Sequence, residues 1–227
     1  MKNIPRRLLI SVLLLMTGSL SVATPSVLAW GEKGKPAESH CTCLHNATEK
    51  KVITTWGGSA YITFTDPNLS GGSASYHRVA TVDGTTGKFV EWGWVKTPTG
   101  FYALLSWNNG FGVQNRYLTG VSRATHRYSH QYDPNTGNFW FYVDGAYYTY
   151  QNAGFSSGTF EGAGGEAGQG IESFNSTLLY DLRYLQNTNG TFTFVSWNGH
   201  VNDVDNAPYY NANGSDSNSF YDKRLPS

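Results

Sequence analysis

Apolar and polar residues alternate with a period of two from residue 52 onward, and turn-forming residues interrupt the alternation about every 8 to 12 positions. The clearest example is Phe139–Val143, which is followed by Asp144-Gly145 and by a second alternating run, Tyr147–Tyr150. A two-residue Asp-Gly connection between such runs is typical of a β-hairpin. The other runs are Tyr61–Thr65, Val79–Val82, Lys88–Val95, Arg123–Tyr132, Leu178–Leu185 and Thr191–Ser196.

Helical periodicity is missing from the sequence, because no window of about 12 residues carries an apolar stripe with helical spacing. Short alternating runs separated by frequent turns favour a β-sandwich or a barrel. We therefore predict an all-β, single-domain antiparallel β-sandwich of the jelly-roll or concanavalin-like kind, with roughly ten strands.

The first 29 residues have the layout of a secretory signal peptide. Three basic residues precede an apolar run from Leu8 to Met16, and Val27 and Ala29 supply the small residues of a cleavage site. We predict cleavage after Ala29, a secreted protein and no membrane association afterwards, because no later segment approaches about 18 apolar residues. The predicted order is a short polar leader at 30–50, the sandwich at 51–210 and a loose polar tail at 211–227.

The composition narrows the possible partners. Sixteen basic residues balance sixteen acidic ones with no basic block, which argues against a nucleic-acid partner. The aromatic content of 15% and the charged content of 14% argue against disorder. The oligomeric state is not indicated by any of these features.

The two cysteines, Cys41 and Cys43, precede His45 at a spacing that places all three on one face of an extended chain. They could bind a soft metal, form a strained bridge or link to another chain. No fourth ligand occurs at a standard zinc spacing, so we predict that the protein has no metal and no other cofactor.

Other motifs lack the structural context that they need. Gly154–Gly158 matches the G-x-S-x-G nucleophile elbow, but no helix pattern follows it, so we predict a loop. Gly162–Ala167 loosely resembles a dinucleotide-binding turn and lacks a following helix as well. His126 and His130 share a strand face but lie about 13 Å apart in an extended chain, too far to bind one metal.

Two glutamates occupy unusual positions. Glu91 lies in Phe89–Trp94, a run that is otherwise apolar on both faces, where a carboxylate loses hydration. Glu166 lies in the glycine-rich run Gly164–Gly168, and strand glycines often mark the close approach of a ligand or another backbone. Such acids can share a proton in one cleft and hydrolyse peptides or glycosides.

A structural role remains open for both glutamates. Glu91 would then pair with an arginine such as Arg116 or Arg123, and Glu166 would lie at an exposed bend. The catalytic interpretation requires that both carboxylates face one groove and that permanent cationic neighbours do not neutralise them.

Three segments, in order, carry a family resemblance: Trp56–Pro67, Glu91–Pro98 and Gly164–Glu166. Together they resemble the opening strand and the two glutamate motifs of neprosin-like glutamic peptidases, whose β-sandwich is related in architecture to that of the fungal eqolisins. The resemblance implies that Glu91 and Glu166 form a catalytic pair that hydrolyses polypeptides in acid. The best-known members cleave after proline.

The expected mechanism divides the work between the two glutamates. One carboxylate takes a proton from water, and the other carboxyl polarises the scissile carbonyl and later protonates the leaving amine. The sequence does not assign these roles. The aromatic residues expected to flank the groove and bind substrate are Trp92, Trp94, Tyr102 and Trp107.

Two alternatives to a peptidase stay open. Phe139–Gly145 resembles a strand of lectin-like sandwiches, and exposed tryptophan and tyrosine rings stack on sugars, which favours a glycan-binding or glycan-cleaving jelly roll. No Glu-x-Asp-x-x-Glu strand of the glucanase kind occurs. The other alternative is a non-catalytic sandwich that serves adhesion.

Overall fold

The computed structural model describes residues 44–67, 69, 74–168, 176–204, 210–216 and 218–224. The predicted signal peptide, Cys41 and Cys43 lie outside the described residues. Within that part of the chain there are fifteen strands and no helix. No segment there is a helix long and apolar enough to span a bilayer.

In chain order the strands are β1 (Leu44–Thr55), β2 (Gly57–Ile62), β3 (Ser75–Asp83), β4 (Lys88–Thr97), β5 (Gly100–Asn108), β6 (Val113–Leu118), β7 (His126–Asp133), β8 (Asn138–Val143), β9 (Ala146–Gln151), β10 (Gly158–Gly168), β11 (Thr177–Thr188), β12 (Thr191–Ser196), β13 (Val201–Val204), β14 (Tyr210–Asp216) and β15 (Ser219–Arg224).

The strands form two antiparallel sheets that pack face to face. The seven-stranded sheet has the order β13-β1-β10-β3-β4-β5-β6. The eight-stranded sheet has the order β14-β15-β11-β2-β7-β8-β9, with β12 paired to β11. This arrangement confirms the predicted all-β antiparallel sandwich.

The hairpin predicted at Asp144-Gly145 is confirmed. Both turn residues have positive φ, 51° at Asp144 and 81° at Gly145, as a two-residue hairpin turn with the twist of its strands requires. In β8 every second side chain, from Phe139 to Val143, is buried in the sandwich, and the side chains between them are only half-buried. The alternation in the sequence therefore reports the two faces of this strand correctly.

A core of aromatic side chains fills the space between the sheets. Trp92 and Trp94 enter it from the seven-stranded sheet, and Tyr128 and Phe141 enter from the eight-stranded sheet, all of them fully buried. The ring of Trp92 lies 5.9 Å from that of Tyr128, and its Nε1 donates a hydrogen bond to the Tyr142 carbonyl at 2.8 Å. This bond satisfies the indole N–H where the two sheets meet.

The structure differs from the predicted boundaries at both ends of the sandwich. Strand β1 begins at Leu44, inside the segment expected to be a leader, and it pairs with β10. Strands β14 and β15 fall in the segment expected to be a loose tail, and β15 pairs with β11. The strands at these ends contain mostly polar residues, so their sequences show no alternation of apolar and polar positions. They are held in the sheets by backbone hydrogen bonds, which do not require an apolar face. Gly154–Gly158 forms the loop that leads into β10, as expected.

Candidate active site

The strand register places Glu91 and Glu166 on the same face of the seven-stranded sheet. Strand β3 lies between β4, which carries Glu91, and β10, which carries Glu166. Glu166 is opposite Tyr76, Glu91 is opposite Ala80, and Arg78 lies between these two positions on β3. Paired residues share a face and side chains alternate along a strand, so all five side chains point to one side.

That side is the outer face of the sandwich. The residues that alternate with these five include Val79, Trp92 and Ala163, and all three are buried in the core with residues of the opposite sheet. Glu91 and Glu166 therefore point away from the core. Both acids thus face the same side, but they are buried rather than exposed in a groove, and one permanent cation, Arg78, binds both of them.

Arg78 joins the two acids. Its Nε donates to Oε1 of Glu91 at 2.9 Å, and its Nη2 donates to Oε1 of Glu166 at 2.5 Å. Neighbouring nitrogens of one guanidinium thus bind two different carboxylates, which brings the carboxyl groups of β4 and β10 to the same place. The cation at Glu91 is Arg78, and not Arg116 or Arg123 as the sequence had suggested.

Tyr76 holds Glu166 from the other side. Its hydroxyl donates a hydrogen bond to Oε2 of Glu166, and the Arg78 guanidinium lies over its ring at 4.8 Å from the centroid. The ring also packs with Val95 and Leu104 in a small apolar cluster on this outer face. Both oxygens of Glu166 therefore accept a hydrogen bond from a donor whose position is fixed by packing.

Two glycines flank Arg78 at points where neighbouring backbones approach closely. Gly93 and Gly164 are its register partners on β4 and β10. A Cβ at Gly93 would lie 1.9 Å from the His77 carbonyl oxygen, and one at Gly164 would lie 2.4 Å from the Ala47 carbonyl oxygen. Both distances are far below van der Waals contact, so these positions exclude any side chain, and the strands on either side of Arg78 are fixed in close contact with their neighbours.

The three charged groups are buried. Arg78 and Glu91 are each 1% exposed, and Glu166 is 0% exposed. Substrate can reach the pair only after the groups that cover this face are displaced.

With both carboxylates ionised, Arg78, Glu91 and Glu166 together carry a net charge of −1, and with one carboxyl protonated they are neutral. A buried cluster without net charge is much less costly than one with an excess charge.

Three of the four aromatic residues expected to bind substrate do not lie on this face. Trp92 and Trp94 are 0% exposed and Trp107 is 7% exposed, and all three belong to the core between the sheets. The prediction that they flank the groove is corrected for a simple reason: they alternate with Glu91 and its face neighbours, so they point to the opposite side. Tyr102 does lie on the site face, opposite Val95 and 5.8 Å from the Tyr117 ring.

Sequence reasoning missed the two residues that hold the pair, Arg78 and Tyr76. They alternate with His77 and Val79 in a strand where polar and apolar residues are mixed on both faces. The available signal was a tyrosine and an arginine two positions apart, directly before the predicted strand Val79–Val82. Only the register of β3 against β4 and β10 shows which acids they meet.

A second polar cluster lies on the core face and is separate from this site. The Thr81 hydroxyl donates to Glu161 at 2.6 Å and is 2.7 Å from Nε2 of His130. Burial raises the pKa of Glu161 well above its ordinary value and lowers the pKa of His130 to about 3. These directions favour uncharged groups between the sheets. No cluster of three or more potential metal ligands occurs among the described residues.

The sequence matches no family model and no curated protein. Among the solved structures that are similar to its fold, three each cover 83% of this chain and 99% of their own. Scytalido-glutamic peptidase with a transition-state analogue inhibitor has a TM-score of 0.52 at 13% identity, and the same peptidase with a peptide-based analogue has 0.50 at 11%. SCP-B, a member of the eqolisin family of peptidases in a complex with a tripeptide, has 0.51 at 10%. The chain therefore has the β-sandwich fold of eqolisin-type glutamic peptidases.

Proposed function

We propose that the protein is a glutamic endopeptidase in which Glu91 and Glu166 hydrolyse peptide bonds in acid. The observation that carries the proposal is the bridge from one guanidinium, that of Arg78, to both carboxylates on the outer face of the sandwich. Two acids from strands that are not neighbours meet there. The fold shared with eqolisin-type peptidases supports the same conclusion.

Charge counting shows how the pair would work. Arg78 contributes one positive charge, so the cluster is neutral when Glu91 and Glu166 share one proton between them. That state contains one carboxylate to act as a base and one carboxyl to act as an acid. Acid favours it over the doubly ionised state, which is the physical basis for expecting activity at low pH.

Hydrolysis would proceed in two balanced steps. The carboxylate takes a proton from water, and the resulting hydroxide attacks the scissile carbonyl carbon while the other carboxyl donates a hydrogen bond or its proton to the carbonyl oxygen. Collapse of the tetrahedral intermediate breaks the C–N bond, and a proton passes to the amine. The products are one carboxylic acid and one amine, and one water is consumed.

Arg78 and Tyr76 serve as positioning residues in this scheme. Tyr76 and Arg78 bind the two oxygens of Glu166, and Arg78 also binds one oxygen of Glu91. Fixing both carboxyl groups by donors on one strand keeps their separation constant during the reaction. Arg78 is a permanent cation that binds one oxygen of each carboxylate.

The competing interpretation is a purely structural ion cluster. All three groups are buried, and buried arginine–carboxylate clusters occur without any catalytic role. In that case the wild type would not cleave the substrate, and glutamine at either position would change only the stability. The two interpretations therefore differ in a measurement of activity at matched folding.

The deciding experiment compares Glu91→Gln and Glu166→Gln with the wild type on an unfolded protein substrate at about pH 3 to 5. The matched control is Glu161→Gln, a buried glutamate on the same strand as Glu166 that faces the core. We expect both site variants to lose cleavage and the control to keep it. If both site variants cleave like the wild type, or the folded wild type does not cleave, the proposal is wrong.

The same digests report the specificity and can be read by mass spectrometry. The resemblance to neprosin-like peptidases leads us to propose cleavage after proline, and the sequences of the product termini test this directly. Secretion is also part of the proposal, because the segment 1–29 reads as a signal peptide. Export followed by removal of residues 1–29 would place the new N-terminus at Trp30.

A further inference from the structure

A second candidate site lies on the opposite outer face of the sandwich, on the eight-stranded sheet. A cavity of about 370 Å³ opens there between β7, β8 and β12, with walls formed by the rings of Trp140, Tyr142 and Phe192. Trp140 and Tyr142 alternate with the buried Phe139 and Phe141, so they point away from the core. The cavity and the Arg78 cluster are therefore on different faces.

Exposed rings extend this cavity toward the edge of the sheet. The Trp140 ring lies 5.3 Å from that of Tyr147 and 6.5 Å from that of Tyr150 on the edge strand β9. Tyr147 is 51% exposed and Tyr150 is 55% exposed. Nε1 of Trp140 donates to the Thr136 hydroxyl at 3.2 Å, which fixes the indole in place. The result is a row of aromatic rings on the outer face, in which hydrogen bonding fixes Trp140 and the two tyrosines are open to solvent.

Polar groups surround the rings. The Gln131 amide lies 3.4 Å from the Tyr142 hydroxyl, and the exposed Asn135 and the carboxylate of Asp133 line the same cavity. The hydrogen bonds from the backbone N–H of Asn135 and the Thr136 hydroxyl hold the pKa of Asp133 below its ordinary value. The lining has one acid and no basic residue, which disfavours anionic ligands such as phosphates or sulfated chains.

The combination of aromatic faces and neutral hydrogen-bonding groups suits a sugar ring. A pyranose has an apolar face that stacks on an aromatic ring and a rim of hydroxyls that bond to amides and phenols. Addition of a peptide strand inside the cavity is excluded, because β7 and β8, which form its floor, are hydrogen-bonded to neighbours on both sides. We propose that the Trp140 cavity and the adjoining tyrosines of β9 bind neutral, pyranose-based polysaccharides.

This binding site does not depend on the peptidase activity. It would hold the protein on a polysaccharide surface by the face opposite the Arg78 cluster. The test is affinity electrophoresis of the full chain in gels containing β-glucan, mannan, xylan or starch, with polygalacturonate as the anionic comparison. We expect at least one neutral polysaccharide to retard the protein and polygalacturonate to have no effect.

Variants then locate the site. Trp140→Ala should weaken binding by at least about tenfold, and Trp140→Phe, which keeps a ring, should weaken it less. Tyr150→Ala changes only an exposed side chain and reports on the site even if Trp140→Ala melts at a lower temperature. The matched control is Tyr221→Ala, an exposed tyrosine on β15 of the same sheet and outside the cavity, which should bind like the wild type.

Three results would overturn the inference. One is the absence of retardation by every neutral polysaccharide in the series. Another is retardation that is the same in Trp140→Ala, Tyr150→Ala and Tyr221→Ala. The third is binding of a proline-rich peptide without binding of any glycan, which would assign the rings to polyproline recognition.

Discussion

Arg78 reaches Glu166 diagonally across two strands. Glu166 lies opposite Tyr76 in the register, and Arg78 lies two residues further along β3, opposite Gly164. Diagonal neighbours in a sheet are about 7 to 8 Å apart, a distance that a long side chain spans. Since the same guanidinium also binds Glu91, one side chain connects three adjacent strands.

Removal of the guanidinium should destabilise the sandwich in a pH-dependent way. In Arg78→Met the two buried carboxyl groups lose their shared cation, which at about pH 7 should cost roughly 3 to 5 kcal/mol of unfolding free energy. The loss should be smaller at about pH 4, because protonated carboxyls need no cation. Denaturant unfolding of the variant and the wild type at both pH values measures this difference.

The control for that variant is Arg78→Lys, which keeps the charge and loses the planar fork. An ammonium cannot bind two carboxylates in the same geometry, so we expect most of the stability to remain and peptidase activity to fall. Equal losses of stability at both pH values in Arg78→Met would contradict the role of Arg78 as the counter-charge.

The Tyr76 hydroxyl can be removed without removing its ring. Tyr76→Phe keeps the contact with Arg78 and the packing against Val95 and Leu104, and it loses only the hydrogen bond to Glu166. We expect about 1.5 to 3 kcal/mol lower stability, the usual contribution of a hydrogen bond to a charged group. We also expect kcat to fall by about 10- to 100-fold, because Glu166 is no longer held in position.

Kinetics well below the melting temperature separate positioning from stability. A purely structural hydroxyl would leave kcat unchanged under those conditions, and the positioning role would then be wrong. A fall in kcat with little change in KM is the predicted pattern.

The fold was predictable where strands alternate clearly and turns have a strong local signal. Asp144-Gly145 fixes its hairpin through positive φ values that favour such residues, and β8 buries every second side chain. Strands β14 and β15 were not predictable, because most of their residues are polar and only Phe220 of β15 enters the main core. β15 pairs with β11, a segment distant in sequence, and β14 pairs in turn with β15.

The site was predictable only in part for a related reason. Glu91 and Glu166 stood out because each lies where a charged side chain is unexpected. Their meeting depends on a register that no local pattern encodes, and so does the contribution of Arg78. Trp92 and Trp94 were assigned to the groove although their alternation with Glu91 already placed them on the other face.

Gly93 provides a test of the space around Arg78. A methyl group there would lie 1.9 Å from the His77 carbonyl oxygen and 2.7 Å from the Arg78 Cα, so Gly93→Ala must push β3 and β4 apart. We expect a loss of stability of at least about 2 kcal/mol and a loss of activity. Gly84→Ala is the control, since its nearest neighbour is the Thr159 hydroxyl at 3.1 Å. Equal stability of the two variants by thermal unfolding would contradict the tight packing at Gly93.

The buried Glu161 predicts a pH dependence of stability opposite in sign to that of an acid whose pKa is lowered by folding, such as Asp83. Its pKa is raised in the folded state, so its contribution to stability is complete below the unfolded value near 4.5 and is lost as the pH rises through the folded value. Glu161→Gln cannot ionise and keeps an acceptor for Thr81. The stability of the variant relative to the wild type should therefore increase as the pH rises from about 4 to about 7. Urea unfolding of both proteins at about pH 4 and pH 7 measures this. The same difference in unfolding free energy at both pH values would refute the prediction.

The pH dependence of kcat/KM on an unfolded protein substrate tests the central claim most directly. If Glu91 and Glu166 share one proton beside Arg78, the wild type should show a bell-shaped profile confined to acid, with one limb for each carboxyl. Cleavage that stays constant from about pH 3 to pH 7, or folded protein that cleaves nothing across that range, would contradict it.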